Sequence, residues 1–250
     1  MTATIGFVAV LAVAVFSVDL IVQGLGTVRR RWPASPSRFR RPVLGIIGGS
    51  VVAMAALEFG LLTDDFSIEY IANNSASSTP FIFKVASGWA ALEGSILLWG
   101  LVLAVFVYTV YRQIAKREDE DRLGGGAMLV LGIVTLFFFG MMLTVSNPFR
   151  VCVEPGAVGC FEAANLPWSD SAAALEGRGP NPLLQNHILM AVHPPMLYLG
   201  YVGMTVPFAF AMSALMLGMS GTAWLDRTRS WTLVTWGFLT LGIVLGGLWS

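Results

Sequence analysis

His193 is one of two histidines in this 250-residue chain, and Pro194 and Pro195 follow it at the edge of a long apolar run. A residue before proline is pushed out of the helical region, whereas proline suits the first turn of a helix. The pattern predicts His193 in extended backbone just outside a helix that begins near Pro195. An imidazole held there could ligate a metal or a haem iron through one ring nitrogen, or it could only fix a helix cap at a membrane interface. His187, six positions earlier, is either a further ligand candidate or a solvated or capping residue. The two cysteines, Cys152 and Cys160, lie eight apart in CVEPGAVGC, with Pro155, Gly156 and Gly159 between them to form a turn. They could close a disulfide, exchange with a thiol of a substrate protein, or remain unpaired. The chain has no CxxC or CxxCH motif, so it is neither a thioredoxin-like enzyme nor a c-type cytochrome.

The elements that must position these residues are membrane helices. Hydrophobic residues make up 56% of the chain, charged residues 12%, and mean hydropathy is +0.72. Soluble domains carry about a quarter charged residues. A span needs roughly 20 mostly apolar residues, and six stretches qualify, near 5–25, 43–62, 94–111, 127–145, 196–217 and 231–249. Runs this continuous lack the alternation of membrane barrel strands. The expected fold is an all-α polytopic integral membrane protein, a single membrane domain over 1–250, with two long loops at about 63–93 and 146–195.

Orientation follows from the basic residues. Twelve of them (Arg29, Arg30, Arg31, Arg38, Arg40, Arg41, Arg112, Lys116, Arg117, Arg122, Arg227 and Arg229) fall in the connections after the first, third and fifth spans, against three on the other side, Lys84, Arg150 and Arg178. This bias puts the arginine side in the cytoplasm, and both termini and the two long loops outside it. Both cysteines then face an oxidising compartment. The zero net charge carries no sign of nucleic-acid binding. The first span has no basic start and ends in arginines, so it reads as a retained anchor rather than a cleaved signal.

Several residues within or beside the spans leave structure and function both open. Asp19 and Glu58 fall inside spans, where carboxylates are costly and face the bundle or an interface. Pro207 should kink the fifth span. Met190, Met196 and Met204 are either core packing or soft neighbours of a haem. Pro80–Glu93 could lie along the outer membrane surface, with Glu93 capping or pairing with Lys84. The mixed run Lys116–Arg122 reads as a solvated helix end.

In order along the chain come DFSIEYIANNS (Asp65–Ser75), Trp89 with EGSILLW (Glu93–Trp99), SNPF (Ser146–Phe149), NPLLQ (Asn181–Gln185), HPPMLYLGYVGMTVPFAFAMSAL (His193–Leu215) and SWTLVTWGFLTLGIVLGGLW (Ser230–Trp249). This ordered set, covering most of the chain from about residue 43, resembles the amino-terminal part of the CcmF/NrfE haem lyase family. The resemblance implies a component of cytochrome c maturation in the inner (cytoplasmic) membrane, which binds haem and helps deliver it to apocytochrome c on the outer face. The implied cofactor is haem. The implied partners are apocytochrome c, a haem chaperone, other maturation membrane proteins and the lipid bilayer. His193 matches the family histidine implicated as an axial haem ligand, and no residue is assigned to catalysis.

Departures from the family pattern accompany the match. Leu92 stands where the family often has histidine or glutamine before the glutamate. The cysteines lie in or beside an apparent insertion, Pro180 replaces a leucine, and His187 stands where proline is common. The sequence also stops where the family continues into a tryptophan-rich WWD motif and further haem-binding histidines. The expectation is an incomplete sequence or a split-gene subunit that acts with the WWD-bearing part. A non-catalytic membrane subunit, or a solute or ion transporter with Asp19, Glu58 and Pro207 along a pathway, is the alternative reading.

Overall fold

The computed structural model describes residues 1–117, 120–181, 187–222 and 224–249. Most of the NPLLQ stretch and the middle of the Lys116–Arg122 run lie outside the described residues. Six helical segments are long and apolar enough to cross a membrane: α1 (Thr2–Val28), α2 (Pro36–Leu62), α5 (Leu92–Ala115), α6 (Arg122–Thr144), the consecutive α7 (Ile188–Gly203) and α8 (Thr205–Met216), and α9 (Leu225–Trp249). Helix α2 starts seven residues before the expected span, so Arg38, Arg40 and Arg41 ride on its first turns rather than in a loop. Within the spans, the hydroxyls of Ser17, Ser50 and Thr135 donate to the carbonyls of Val13, Ile46 and Leu131, four residues back. Each of these three hydroxyls is thus satisfied inside its own helix, as hydrocarbon surroundings demand.

Helices α1, α2, α5 and α6 form the body. Its interior is filled by fully buried Val13, Leu20, Phe39, Ile46, Leu57, Leu103, Val107, Leu131 and Phe139. Helix α8 packs on α6, and α7 on α5, while α9 packs mainly on α7. Only 11% of the most apolar stretch of α9 is buried, against 44–50% for the other five spans. Helix α9 therefore presents most of its surface outward. The expected kink at Pro207 is a break: proline offers no N–H to the Gly203 carbonyl, and α7 gives way to α8 at Met204.

At one end of the bundle the two long connections form a joint cap. It contains α3 (Glu69–Asn74), α4 (Phe81–Ala86) and an antiparallel hairpin, β1 (Val151–Pro155) with β2 (Cys160–Ala164), a small departure from an all-α chain. The hairpin is docked on the DFSIEYIANNS segment. Cys152 N–H donates to the Ser67 carbonyl at 2.8 Å, Glu69 N–H to the Arg150 carbonyl at 3.0 Å, and Cys160 N–H to Asn73 Oδ1 at 3.0 Å. Arg150 pairs with Glu69 at 3.2 Å, and a disulfide joins Cys152 to Cys160. In SNPF, Asn147 Oδ1 accepts the Phe149 N–H, and the buried Phe149 ring fills the space over Gly6 of α1.

The opposite end carries the arginines. Asp121 is buried there rather than solvated: it caps α6 by accepting from Gly124 N–H, and it takes both guanidinium nitrogens of Arg227 at 2.8 and 3.2 Å. Arg122 Nη2 donates to the Val28 carbonyl at the end of α1. Asp19 pairs with Arg41 at 3.3 Å and accepts from Gln23.

Candidate functional site

His193 lies inside α7, not in extended backbone before a helix. The residue that does occupy the extended position is His187 (φ −120°, ψ 138°), whose Nδ1 accepts the Leu189 N–H at 3.2 Å and caps the helix. The expected boundary near Pro195 is thus seven residues late. Local proline preference is overridden by hydrogen bonds that the fold supplies from outside the helix. Pro194 cannot donate to the Met190 carbonyl, which would otherwise be left bare in an apolar setting. Instead the indole N–H of Trp89 donates to it at 3.1 Å. Trp89 therefore ties the segment before α5 to the first turns of α7 and makes the proline pair tolerable there.

The imidazole is held from the other side by α9. His193 Nδ1 lies 2.8 Å from the Gly242 carbonyl oxygen. That oxygen can only accept, so Nδ1 carries the proton, and in the neutral ring Nε2 keeps its lone pair. A ring nitrogen fixed by a backbone carbonyl is the arrangement that orients an imidazole for ligation through the other nitrogen. The Trp249 ring stands 5.7 Å away, centroid to centroid.

Glycines make this approach possible. A Cβ on Gly200 would sit 2.2 Å from the Leu239 backbone nitrogen, and one on Gly242 would sit 2.8 Å from Leu197 Cα. One on Gly246 would sit 2.7 Å from the imidazole itself. Gly242 and Gly246 form a GxxxG pair, the small-residue spacing that lets membrane helices meet backbone to backbone. That pattern was visible in GIVLGG, although its connection to His193 was not.

Around the mouth of α5, Tyr70 donates from its hydroxyl to the Ser87 carbonyl at 2.7 Å and accepts the Ala91 N–H at 3.3 Å. Burial pushes the phenol well above its ordinary range, so it stays protonated. Glu93 opens α5, but Lys84 pairs with Asp64 at 2.7 Å, not with Glu93. Phe81 and Ile82 of α4 are exposed, and the expected surface helix over Pro80–Glu93 is divided into α4, a short 3-10 turn at Ser87–Trp89 and the start of α5. Leu92, at the family's polar position, is 64% exposed. Among the described residues, no group of three or more histidine, cysteine, aspartate or glutamate side chains could hold a metal ion.

Residues 89–250 match the family described as Cytochrome C assembly protein, from the tryptophan that secures α7 through the end of α9. The chain belongs to that family. It is 35% identical over 238 residues to the cytochrome c-type biogenesis protein CcmF of Pseudomonas fluorescens, covering 92% of this chain and 32% of that one. The CycK protein of Rhizobium meliloti is 37% identical over 246 residues, covering 98% and 33% respectively. A solved structure of the cytochrome c haem lyase CcmF superposes with a TM-score of 0.79 at 31% identity, over all of this chain and 36% of that one. The chain thus spans about a third of the length of the curated relatives it matches. In this member of the cytochrome C assembly family, His193, Trp89 and the α7–α9 glycines all fall within the matched region.

Proposed function

We propose that this chain supplies one axial ligand, the Nε2 of His193, to haem that is being delivered to apocytochrome c during cytochrome c maturation. The observation that carries the reading is the Nδ1 contact with the Gly242 carbonyl, which leaves Nε2 as the ring's free lone pair. The residues present fit such a group. Gly246 leaves the imidazole its space, and Trp249 offers an aromatic wall beside it. Haem and the cysteine thiols of the acceptor protein supply the bond-forming chemistry, while the chain's part is to bind and orient.

The twelve-to-three distribution of basic residues supports a cytoplasmic-membrane orientation with the arginine end inside and the hairpin cap, both termini and His193 towards the outer face. Delivery then takes place where the acceptor protein is exported. The partners are apocytochrome c, a haem chaperone and the WWD-bearing part, which would contribute the second ligand and the remaining aromatic walls. Asp19 gives the transporter reading no open group, since it is engaged with Arg41 and Gln23.

Titrating the purified chain with haem and following the Soret band tests the proposal. His193→Gly should abolish the band, and free imidazole should restore it, because the ligand alone has been removed. An unchanged band in that variant would sink the assignment. In a strain lacking its haem lyase, the chain should mature cytochrome c only together with the WWD-bearing part, read by staining for covalent haem.

A further inference from the structure

Two pockets open at the arginine end, and they differ in charge balance. One, of about 590 Å³, is lined by Arg117, Arg122 and Arg227 but also by Glu120, Asp121 and Asp226. Two of its three basic groups are already engaged, since Arg227 and Arg117 both reach Asp121. The other, of about 460 Å³, is lined by Arg30, Arg31, Trp32, Pro33, Arg122 and Glu120. Three guanidinium groups face a single carboxylate there among the described residues. Neither Arg30 nor Arg31 has a carboxylate within ion-pair distance among the described residues, whereas Arg122 spends one nitrogen on the Val28 carbonyl and keeps its other donors.

The backbone under this pocket is built in an unusual way. Arg31 N–H donates to the Gly26 carbonyl and Arg30 N–H to the Thr27 carbonyl, the paired bonds of a Schellman cap closing α1. The left-handed residue of that cap is normally glycine, yet here it is Arg30 at φ 56°. The strained position therefore carries a long cation where a bare turn would fold more easily, which points from the strain to a use for the charge. Trp32 sits over Gly26 with the Arg38 guanidinium 5.1 Å from its ring, an amphipathic arrangement suited to a bilayer surface. The pocket lies where the apolar run of α1 ends.

We propose that Arg30, Arg31 and Arg122, with Trp32 beside them, form a binding site for the phosphate of an anionic glycerophospholipid. The guanidinium groups donate to the phosphodiester oxygens in forked geometry, and the acyl chains run down the outside of α1. The site is independent of the haem reading, because it lies at the opposite end of the bundle and needs only a membrane surface.

The test uses the chain in nanodiscs of phosphatidylcholine, with and without phosphatidylglycerol, and native mass spectrometry of the lipids that stay bound. The wild type should retain phosphatidylglycerol in preference to phosphatidylcholine. Each guanidinium removed should weaken that preference roughly fivefold, so Arg30→Gly with Arg31→Gln should lower it about 25-fold. Glycine at the left-handed position keeps the cap, so thermal stability in phosphatidylcholine should hold or rise and loss of fold is separated from loss of site. Arg40→Gln with Arg229→Gln removes equal charge from the same end outside the pocket and should leave the preference in place. Equal loss in that control would mean diffuse surface charge and overturn the proposal. So would absence of preference in the wild type, or inorganic phosphate stabilising the chain in phosphatidylcholine discs as fully as the lipid does.

Discussion

The four-helix body and the α7–α9 pair solve the same packing problem with different weight on large side chains and on glycine. The body interlocks large side chains, with Leu20, Phe39, Leu57, Leu103 and Phe139 all fully buried. The pair meets through glycines at 200, 242 and 246, with one imidazole-to-carbonyl hydrogen bond between the helices. Side-chain interdigitation resists small changes in shape, whereas backbone contact leaves little between the helices and much of α9 facing outward. The difference teaches where chemistry can be placed. A histidine set among bulky residues would be shut in, while one set against a glycine helix keeps a nitrogen free and stays close to whatever covers α9.

The largest expected effect breaks that contrast directly. Gly24 in the body is as tight as the pair's glycines, with a Cβ at 2.7–2.8 Å from Leu129 Cβ, Cα and N. Gly24→Leu should cost at least about 3 kcal/mol, the upper end for overpacking, because backbone cannot yield as a side chain does. Hydrogen exchange should then rise throughout the body. Gly242→Leu should expose α7 and α9 alone, abolish the His193 contact and leave protection in α1, α2 and α6 intact. Leucine at exposed Gly48, which has open space, should do neither. Equal damage from Gly242→Leu and Gly24→Leu would mean that the pair is no separate unit.

A smaller effect sharpens the comparison at the joint between the two regions. Trp89→Phe keeps a ring but removes the donor to the Met190 carbonyl. An unsatisfied buried acceptor costs about 1–3 kcal/mol, so α7 should fray from its start, and haem retention should weaken without disappearing. Faster exchange confined to the first two turns of α7 is the expected reading. A uniform loss across the bundle would place Trp89 in general packing instead.

Much of this organisation was legible in the chain, and the failures share a cause. Six apolar runs declare six spans because hydrocarbon leaves no other choice for the backbone, and the ordered motifs declare the family. The boundary at His193 was misread because Pro194 and Pro195 were weighed as local signals. Their cost is offset by Trp89, about a hundred positions away in sequence, and no local pattern encodes that. Asp121 was misread for the same reason: a charged run suggests solvent until Arg227 arrives from α9. GxxxG was present in the last span, but a spacing does not say which helix it faces. The cap was hidden more deeply, since Glu69 with Arg150 and Ser77 with Glu176 join segments whose pairing follows only from the fold.

The last and smallest effect concerns that cap, where polar contacts add to the apolar packing of Ile68, Ile71 and Val151. Glu176 accepts from the Ser77 hydroxyl and N–H and from Gly177 N–H, and these hydrogen bonds lower its carboxyl from the ordinary range. A lowered carboxylate adds stability above its unfolded value, and that stability is lost as pH falls through the folded one. Glu69 works in the opposite sense. Burial raises its carboxyl against the pull of Arg150, so ionisation is the costly state and acid relieves it. Exchange at the Ser77 and Gly177 amides, corrected for intrinsic rate, should therefore accelerate in acid, while the body amides stay protected. Because Glu176 is only partly buried and open to solvent, the change should be modest and reduced by salt. Glu176→Gln should remove the pH dependence at those two amides and leave any trend at Glu69 in place. If the two amides keep their acid response in that variant, the cap is held by something other than this carboxylate.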